Sequence, residues 1–235
     1  MTDTITLVNL RTKARERADM VSSLFVTDSE LNGYIQESYK ELYDLLVDAV
    51  EDYNLTSLSD STTTITTGNT FNLPTDHYKL RGVDDLTDAQ NPRTVRKFNF
   101  GERNDYLFSE RLSLGAEFSD VLYRVAGSKI YILPPDKAAR VYRIWYVPLP
   151  TVPTSDSDTI DAINGWAEYV IIDAAIKCRI KEESDVRELR NSKKDVYERI
   201  TRMKNNRDQN IPDKVTRIRN RRRTGFYSYL GDTQL

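Results

Sequence analysis

The chain has 235 residues, of which 39% are hydrophobic and 30% charged, and its net charge at pH 7 is −2. This length allows one large hydrophobic core or two modest ones. No run of about 18 apolar residues occurs, and the N-terminus lacks a basic segment followed by an apolar stretch, so we expect neither a transmembrane helix nor a secretory signal. The single cysteine excludes an internal disulfide framework and a cysteine-based zinc site.

The few candidate catalytic groups have simpler interpretations. His77, the only histidine, follows Pro74 where a strand passes into a loop, and we interpret it as a surface loop residue. The acidic pairs Asp84-Asp85 and Glu182-Glu183 are expected by chance among 36 acidic residues, so we interpret them as solvated. No glycine-rich phosphate loop, dinucleotide fingerprint or zinc motif is present. We therefore expect no enzyme, no cofactor and no metal, in a protein made in a reducing cytoplasm.

The N-terminal part predicts two helices. Apolar residues at helical spacing from Leu7 to Val21 indicate a first amphipathic helix, whose charged face we interpret as solvated. Thr27 and Glu30 match the polar positions of a capping box, and the flanking apolar residues match a hydrophobic staple. These signals predict a second, longer helix that runs to about residue 54.

At Ser57 the composition changes, and a segment rich in predicted strands begins. Threonine-rich alternation on both sides of Gly68-Asn69 predicts a β-hairpin with a two-residue turn, and a second tight hairpin is predicted at Gly127. Further strands are predicted at Tyr78–Val83, Thr94–Phe100, Leu122–Ala126, Lys129–Leu133 and Arg140–Val147, with a short helix at Glu102–Phe108. The last of these strands is apolar on both faces, so it is either central in a sheet or covered by a neighbouring subunit.

A loop over residues 148–158 leads to two more helices. Asp161 is predicted to cap a helix over Trp166–Glu182, which is apolar nearly all round and therefore buried. The last helix, from about Ser184 to Arg207, has a narrow apolar seam that suits one helical partner, and Lys193 interrupts that seam.

These elements predict an α+β, mainly helical fold. Its helical core combines residues 1–56 and 161–208, with a β-rich insert at 57–160 and an extended C-terminal arm at 209–235.

The C-terminal arm combines cationic and aromatic side chains. From Pro212 onward the charge is +4, so the whole-chain value of −2 leaves about −6 for the rest. Arginine pairs with carboxylates, and aromatic side chains anchor in apolar pockets. The arm is therefore typical of an assembly protein that orders on a partner surface. The candidate partner-binding residues are Lys214, Arg217, Arg219, Arg221, Arg222, Arg223, Phe226, Tyr227, Tyr229 and Leu230.

Six stretches of the sequence carry a resemblance to known proteins: Arg15–Met20, Phe25–Leu31, Tyr34–Leu46, Lys97–Asn104, Gly127–Pro134 and Trp166–Cys178. They resemble adaptor proteins of tailed bacteriophages, which are head-to-tail connector or head-completion proteins. The resemblance covers most of residues 7–207. It implies a virion protein of the neck that forms a ring, typically of twelve subunits, below the portal. Such a ring lengthens the DNA channel and docks the tail or nozzle, and a C-terminal segment reaches the portal.

Other functions for the arm stay open at this point. A nucleic-acid-binding protein would use it for phosphate contacts and base stacking, although the rest of the chain is acidic and contains no recognised nucleic-acid module. A solubilising terminus would not need the apolar residues at 226–230, and a carboxylate-only enzyme has no further support. In the adaptor interpretation the genome passes through the channel without sequence-specific binding, no membrane takes part, and the free protein is monomeric or weakly associated.

Overall fold

The protein is described by a computed structural model that covers residues 4–21, 25–49, 62–66, 68–107, 118–162 and 165–203. These ranges contain four α-helices and nine β-strands, so the α+β class is confirmed, while the predominance of helix and the domain boundaries stay predictions. None of these helices is long and apolar enough to cross a membrane. The elements are β1 (Thr4–Thr6), α1 (Leu7–Ala18), α2 (Asp28–Ala49), β2 (Thr62–Thr64), β3 (Thr70–Asn72), β4 (His77–Asp85), β5 (Arg93–Lys97), β6 (Phe118–Ala126), β7 (Lys129–Leu133), β8 (Val141–Pro148), β9 (Thr159–Asp161), α3 (Ala167–Lys181) and α4 (Arg187–Met203).

Helix α1 forms where the apolar spacing predicts it and ends earlier. Leu7, Leu10, Ala14 and Ala18 are buried in the helical core, which also contains residues of the other three helices, β1 and β9. Asp19 adopts a left-handed conformation and its amide caps the last turn. The prediction for Val21 was wrong: it lies beyond this cap and is 70% exposed.

The charged face of α1 is also less solvated than predicted. Arg15 donates to the carbonyl of Val26 at 2.8 Å and to the Asp28 carboxylate at 2.8 Å. Arg11 donates to Asp156 at 2.6 Å. Since the two arginine side chains are only 13% and 15% exposed, this face links α1 to the start of α2 and to the loop before β9.

Helix α2 starts at the predicted capping box. The Glu30 carboxylate accepts from the Thr27 amide at 3.0 Å, and the Thr27 hydroxyl accepts from the Glu30 amide at 3.3 Å. Both partners of the predicted staple, Val26 and Leu31, are buried. The capping prediction is therefore confirmed, whereas the predicted continuation beyond Ala49 lies outside the described residues.

The helical core is completed by α3 and α4. Helix α3 is buried nearly all round, with Trp166 and Cys178 in the core, as predicted. The predicted cap Asp161 is wrong, because this residue belongs to β9 and pairs with Thr4 of β1. The three residues of β1 pair with a segment that the sequence indicates as the end of a loop, and a local capping signal does not reveal such a long-range pairing.

The predicted hairpin at Gly68-Asn69 is wrong. Strand β2 pairs with β8 and strand β3 with β7, and these two strands form opposite edges of a seven-stranded sheet in the order β2-β8-β4-β5-β6-β7-β3. A flat sheet of this size would separate its edge strands by about 29 Å. Six residue steps from Thr64 to Thr70 span at most about 21 Å, so the sheet has to curl.

The curl brings the two ends of the sheet together around a second core. The Phe71 ring of β3 stacks on the Tyr142 ring of β8, with centroids 5.6 Å apart and planes 17° apart. Strands β6 and β7 form the predicted hairpin at Gly127, whose φ is +61°. Strand β8 has pairing partners on both sides, β2 and β4. It is therefore central in the sheet, which was one of the two explanations for its two apolar faces. The short helix predicted at Glu102–Phe108 is a 3-10 turn over Phe100–Glu102.

The sheet rests on the C-terminal half of α2. Tyr43 donates to the carbonyl of Pro148 at 2.7 Å, and Arg81 donates to that of Val47 at 2.7 Å. Tyr78 and Lys79 of β4 also bond to the carboxylates of Asp44 and Asp48. Strands β4 and β8 thus face the helices, and β5, β6 and β7 extend away from them.

Candidate interaction surfaces

The ten predicted partner-binding residues of the arm lie outside the described residues. The structure does describe the helix that precedes them. Helix α4 packs on α3 and α2, with Ile200 buried in the helical core. Near its end, Arg199 donates to the carbonyl of Gly165 at 3.3 Å. The chain therefore leaves the helical core beside the start of α3.

Lys193, which interrupts the apolar seam of α4, belongs to a buried polar cluster. Its ammonium lies 2.8 Å from the carboxylate of Asp173 and 3.0 Å from that of Glu41. Asp173, on the otherwise apolar buried face of α3, also accepts from the Ser38 hydroxyl at 2.7 Å, and Lys177 lies 3.2 Å from it. The sequence analysis missed this cluster, although an acid inside an apolar helix and a lysine inside an apolar seam are signals that each needs a partner.

The electrostatics of this cluster favour its charged state. Burial pushes the pKa of Asp173 upward, but hydrogen bonds from Lys193 and Ser38 and the two lysine charges outweigh it and hold the pKa below 3.8. Burial lowers the pKa of Lys193, but the bonds to Asp173 and Glu41 outweigh it, so that pKa is raised. The cluster fastens α4 to α2 and α3.

The β-rich part carries an open apolar groove, which we call the sheet groove. Because side chains alternate along a strand, Leu122 and Leu133 face away from the enclosed core and pack with Phe98 in a small third cluster. Beside this cluster the sheet groove has a volume of about 420 Å³. Its lining residues are Phe98, Phe100, Arg103, Asn104, Leu107, Arg124, Ala126, Tyr131 and Leu133.

Apolar exposure and positive charge meet in the sheet groove. Phe100 is 55% exposed, Leu107 41% and Tyr131 39%. The guanidinium carbon of Arg103 lies 4.4 Å from the centre of the Phe100 ring, and that of Arg124 lies 5.3 Å from it. None of the described lining residues is acidic. The groove is therefore suited to an apolar side chain that is accompanied by a carboxylate.

A second exposed apolar surface, which we call the helix-end patch, consists of Val21, Phe25 and Ile180. These side chains are 70%, 52% and 51% exposed. Lys181 draws Phe25 to the end of α3, because its ammonium bonds the Phe25 carbonyl at 2.9 Å and lies 4.8 Å from the ring centre. Arg179 in turn donates to the carbonyl of Ala18 at 3.1 Å, which brings the end of α1 to the same place.

Charged side chains of both signs border the helix-end patch, and the cation nearest to it, Lys181, is paired with Glu30 at 2.8 Å. Asp19, Glu182 and Glu183 are exposed, and within the described ranges no ion pair is formed by any of them. Glu182 accepts from the Ser184 hydroxyl at 3.0 Å. The prediction that the Glu182-Glu183 pair is solvated is therefore confirmed.

The prediction of solvation was wrong for Asp84-Asp85. The Asp85 carboxylate is buried and accepts from Arg140 at 2.6 Å and Ser119 at 2.7 Å. Asp84 accepts from the indole of Trp145. Both carboxylates are therefore held by donors of the β-rich part, which come from β6, from β8 and from the residue that precedes β8.

The prediction that His77 is a surface loop residue was wrong. This residue is half-buried and is the first residue of β4. Burial lowers its pKa, although its own backbone and Asp76 oppose the shift. In the described ranges no group of three or more His, Cys, Asp or Glu side chains is placed to hold a metal ion. The prominent apolar features of the described surface are the sheet groove and the helix-end patch, and we interpret such exposed apolar surfaces as places for contact with other proteins.

Comparison with known proteins agrees with this interpretation. A search of curated proteins finds no match. The family model described as SU10 adaptor protein matches residues 5–224, which include both cores and the start of the arm. A match over this much of the chain shows that the protein belongs to the SU10 adaptor family, a family of phage head-to-tail adaptors.

Proposed function

We propose that the protein assembles into a ring, of twelve subunits, below the portal in the virion neck. The ring lengthens the channel through which the genome passes and docks the tail or nozzle protein. Family membership over residues 5–224 is the observation that carries this proposal. A ring-forming structural role also agrees with exposed apolar surfaces on both cores of the chain, since such surfaces mark contacts with other proteins.

We further propose that the C-terminal arm anchors the ring to the portal. Its basic residues from Lys214 to Arg223 form bidentate pairs with carboxylates of an acidic portal groove, and the aromatic residues that follow fill apolar pockets. The family match supports a role for the basic part, because it extends to residue 224. The described helix that precedes the arm in the chain, α4, is attached to the helical core by Lys193 and Arg199.

The anchoring mechanism relies on many weak contacts. A single arm loses conformational entropy when it orders on the portal, so one subunit binds modestly. Once several subunits are present, neighbouring arms bind at a high effective concentration, and the complete ring holds by avidity. Assembly is then expected on the portal and not in free solution.

Native mass spectrometry and electron microscopy of the full chain, alone and with its portal, test the proposal. We expect a monomer or a weak oligomer alone and a closed ring on the portal. Deletion of residues 212–235 should abolish the ring. Two matched variants separate the contributions of the arm: one replaces its six Lys and Arg residues by Gln, and the other replaces Phe226, Tyr227 and Tyr229 by Ser.

The outcomes discriminate between the candidate functions. Loss of the ring in both substitution variants supports an anchor that uses charge and aromatic contacts together. A ring that forms equally well without the arm would overturn the anchor role. A chain that stays monomeric with the portal but binds an oligonucleotide with steep salt dependence would support the nucleic-acid alternative instead.

A further inference from the structure

We propose that the sheet groove of one copy receives the helix-end patch of the neighbouring copy. This inference rests on the proposed ring and adds to it a specific contact between subunits. The occupant of the groove is thus a second copy of this chain. The argument comes from charge complementarity, from the exposed apolar side chains on both surfaces and from their positions in the fold.

The two surfaces are complementary in charge. The sheet groove presents Arg103 and Arg124 and has no acidic residue among its described lining residues. The helix-end patch is bordered by Asp19, Glu182 and Glu183, which are exposed and form no ion pair with the rest of the described chain. Guanidinium and carboxylate groups at the rim of an apolar contact form charge-assisted hydrogen bonds and fix its register.

The two surfaces are also complementary in apolar character. The groove offers partly exposed Phe100, Leu107 and Tyr131 around a concave volume of about 420 Å³. The patch offers the exposed side chains of Phe25 and Ile180 at the C-terminal end of α3. Aromatic and aliphatic anchors that enter a pocket, surrounded by polar residues, are the usual composition of an interface centre.

The fold places the two surfaces at opposite ends of the molecule. The sheet contacts the C-terminal half of α2 through Tyr43 and Arg81, whereas the helix-end patch lies beside the N-terminus of this helix, where Lys181 bonds Glu30 at 2.8 Å. A helix of 22 residues is about 33 Å long. One chain therefore cannot fill its own groove with its own patch.

A contact between two different surfaces of identical subunits is heterologous. Repetition of such a contact produces a closed ring when the rotation between neighbours closes, and an open filament when it does not. The proposed contact consequently supplies what a ring needs, namely two distinct faces on each subunit. The contact involves only a few side chains on each surface. It is therefore consistent with a free protein that associates weakly and forms a closed ring only on the portal.

Disulfide trapping between full-length chains tests the contact directly. The buried Cys178 is first replaced by Ala in every chain to remove the native thiol. A chain with Leu107→Cys is mixed with a chain with Ile180→Cys at low salt and oxidised. We expect a covalent dimer of twice 27.2 kDa at a yield at least tenfold above that of a control pair, in which Asn91→Cys on an exposed turn replaces Leu107→Cys.

Charge reversal then tests the chemistry. Arg103→Glu with Arg124→Glu in the first chain should lower the yield about tenfold, and Glu182→Arg with Glu183→Arg in the second chain should restore it. Restoration also shows that the reversed chains are folded. A yield equal to that of the control pair, or a yield that charge reversal does not change, would overturn the inference.

Imaging with the portal separates the failure of this contact from the failure of the ring. If the charge-reversed chains still form a closed ring on the portal, neighbouring subunits meet elsewhere and only the present inference fails. If the wild-type chain forms no ring on the portal, the proposed function fails. If the dimer forms and reversal abolishes the ring, both are supported.

Discussion

Replacement of Asp173 by Asn tests whether the buried polar cluster holds α4 on the helical core. The carboxylate is 5% exposed and accepts from Lys193 at 2.8 Å and from Ser38 at 2.7 Å. The neutral amide leaves two ammonium groups beside it without their buried counter-charge. Removal of one partner from a buried ion pair costs about 3–5 kcal/mol. Because the side chains of Lys193 and Lys177 are still 24% and 27% exposed to solvent, we expect a loss of stability at the lower end of this range, about 3 kcal/mol.

Urea unfolding monitored by circular dichroism at 222 nm measures this loss at pH 7. In thermal unfolding followed by the same signal, the melting temperature should fall by about 6–12 °C, because a chain of this size loses about 2–4 °C per kcal/mol. Asp195→Asn, on the exposed face of α4, is the matched control and should change stability by less than about 0.5 kcal/mol. Lys193→Met and the double variant complete a cycle, in which the two changes should be coupled by at least about 1 kcal/mol.

The same cycle has a defined dependence on pH. The pKa of Asp173 in the folded protein lies below its ordinary value of 3.8. Its charge therefore stabilises the fold above about pH 4, and this contribution is lost as the pH falls through the lowered folded pKa. The difference between wild type and Asp173→Asn should shrink below pH 4. An equally stable Asn variant at pH 7, or a coupling near zero, would refute the role assigned to the cluster.

Three further predictions concern the other elements of the fold. Thr27→Ala should lower the free energy of unfolding by about 1 kcal/mol in urea melts through loss of the capping box, whereas Ser29→Ala should leave it nearly unchanged. Phe71→Ala should cost about 3–5 kcal/mol and weaken the near-ultraviolet dichroism of the curled sheet, because it removes the stack on Tyr142. Burial raises the pKa of Asp120, but Arg140 and Lys137 outweigh this effect and lower the pKa to about 2. The charged carboxylate therefore stabilises the fold above about pH 4, and this stabilisation is lost towards pH 2. Asp120→Asn should weaken the dependence of the free energy of unfolding on pH in this range.

The helices could be predicted from the sequence because their signals are local. The spacing from Leu7 to Ala18, the capping box at Thr27 and the apolar run of α3 each lie within a few turns of one helix. Their packing requires only that the apolar faces meet. Val21 and Asp161 mark the limit of this reasoning. The left-handed cap at Asp19 ends α1 before Val21, and Asp161 pairs with Thr4 in a strand and does not cap a helix.

The strands could be located from the sequence, but not paired. Alternation identifies a strand, and it carries no information on the neighbour. The turn residues Gly68-Asn69 favour a hairpin, yet β2 and β3 gain more by pairing with β8 and β7 and enclosing the core around Phe71. The β6–β7 hairpin at Gly127 was predicted correctly because in that case the local and the global preferences agree.

The surfaces proposed for assembly were the least visible in the sequence. Arg103 and Arg124 are 21 positions apart, and their approach to Phe100 depends on the segment that crosses from β5 to the parallel strand β6. The helix-end patch joins Phe25 to Ile180 through a contact of Lys181. Exposure of an apolar side chain is a tertiary property, so neither patch has a signature in composition or periodicity.

The polar cluster links the internal chemistry of the chain to its proposed assembly. The buried face of α3 is apolar except at Asp173, the seam of α4 is apolar except at Lys193, and these two residues pair with each other. A shift of α4 by one turn, about 5.4 Å, would move the ammonium away from both Asp173 and Glu41 and leave the buried carboxylate with only Lys177 and Ser38 of the partners described above. An apolar seam alone would tolerate such a shift at a smaller cost. The ion pair, which interrupts the apolar pattern of both helices in the sequence, therefore sets the register of α4, the last described helix before the predicted arm.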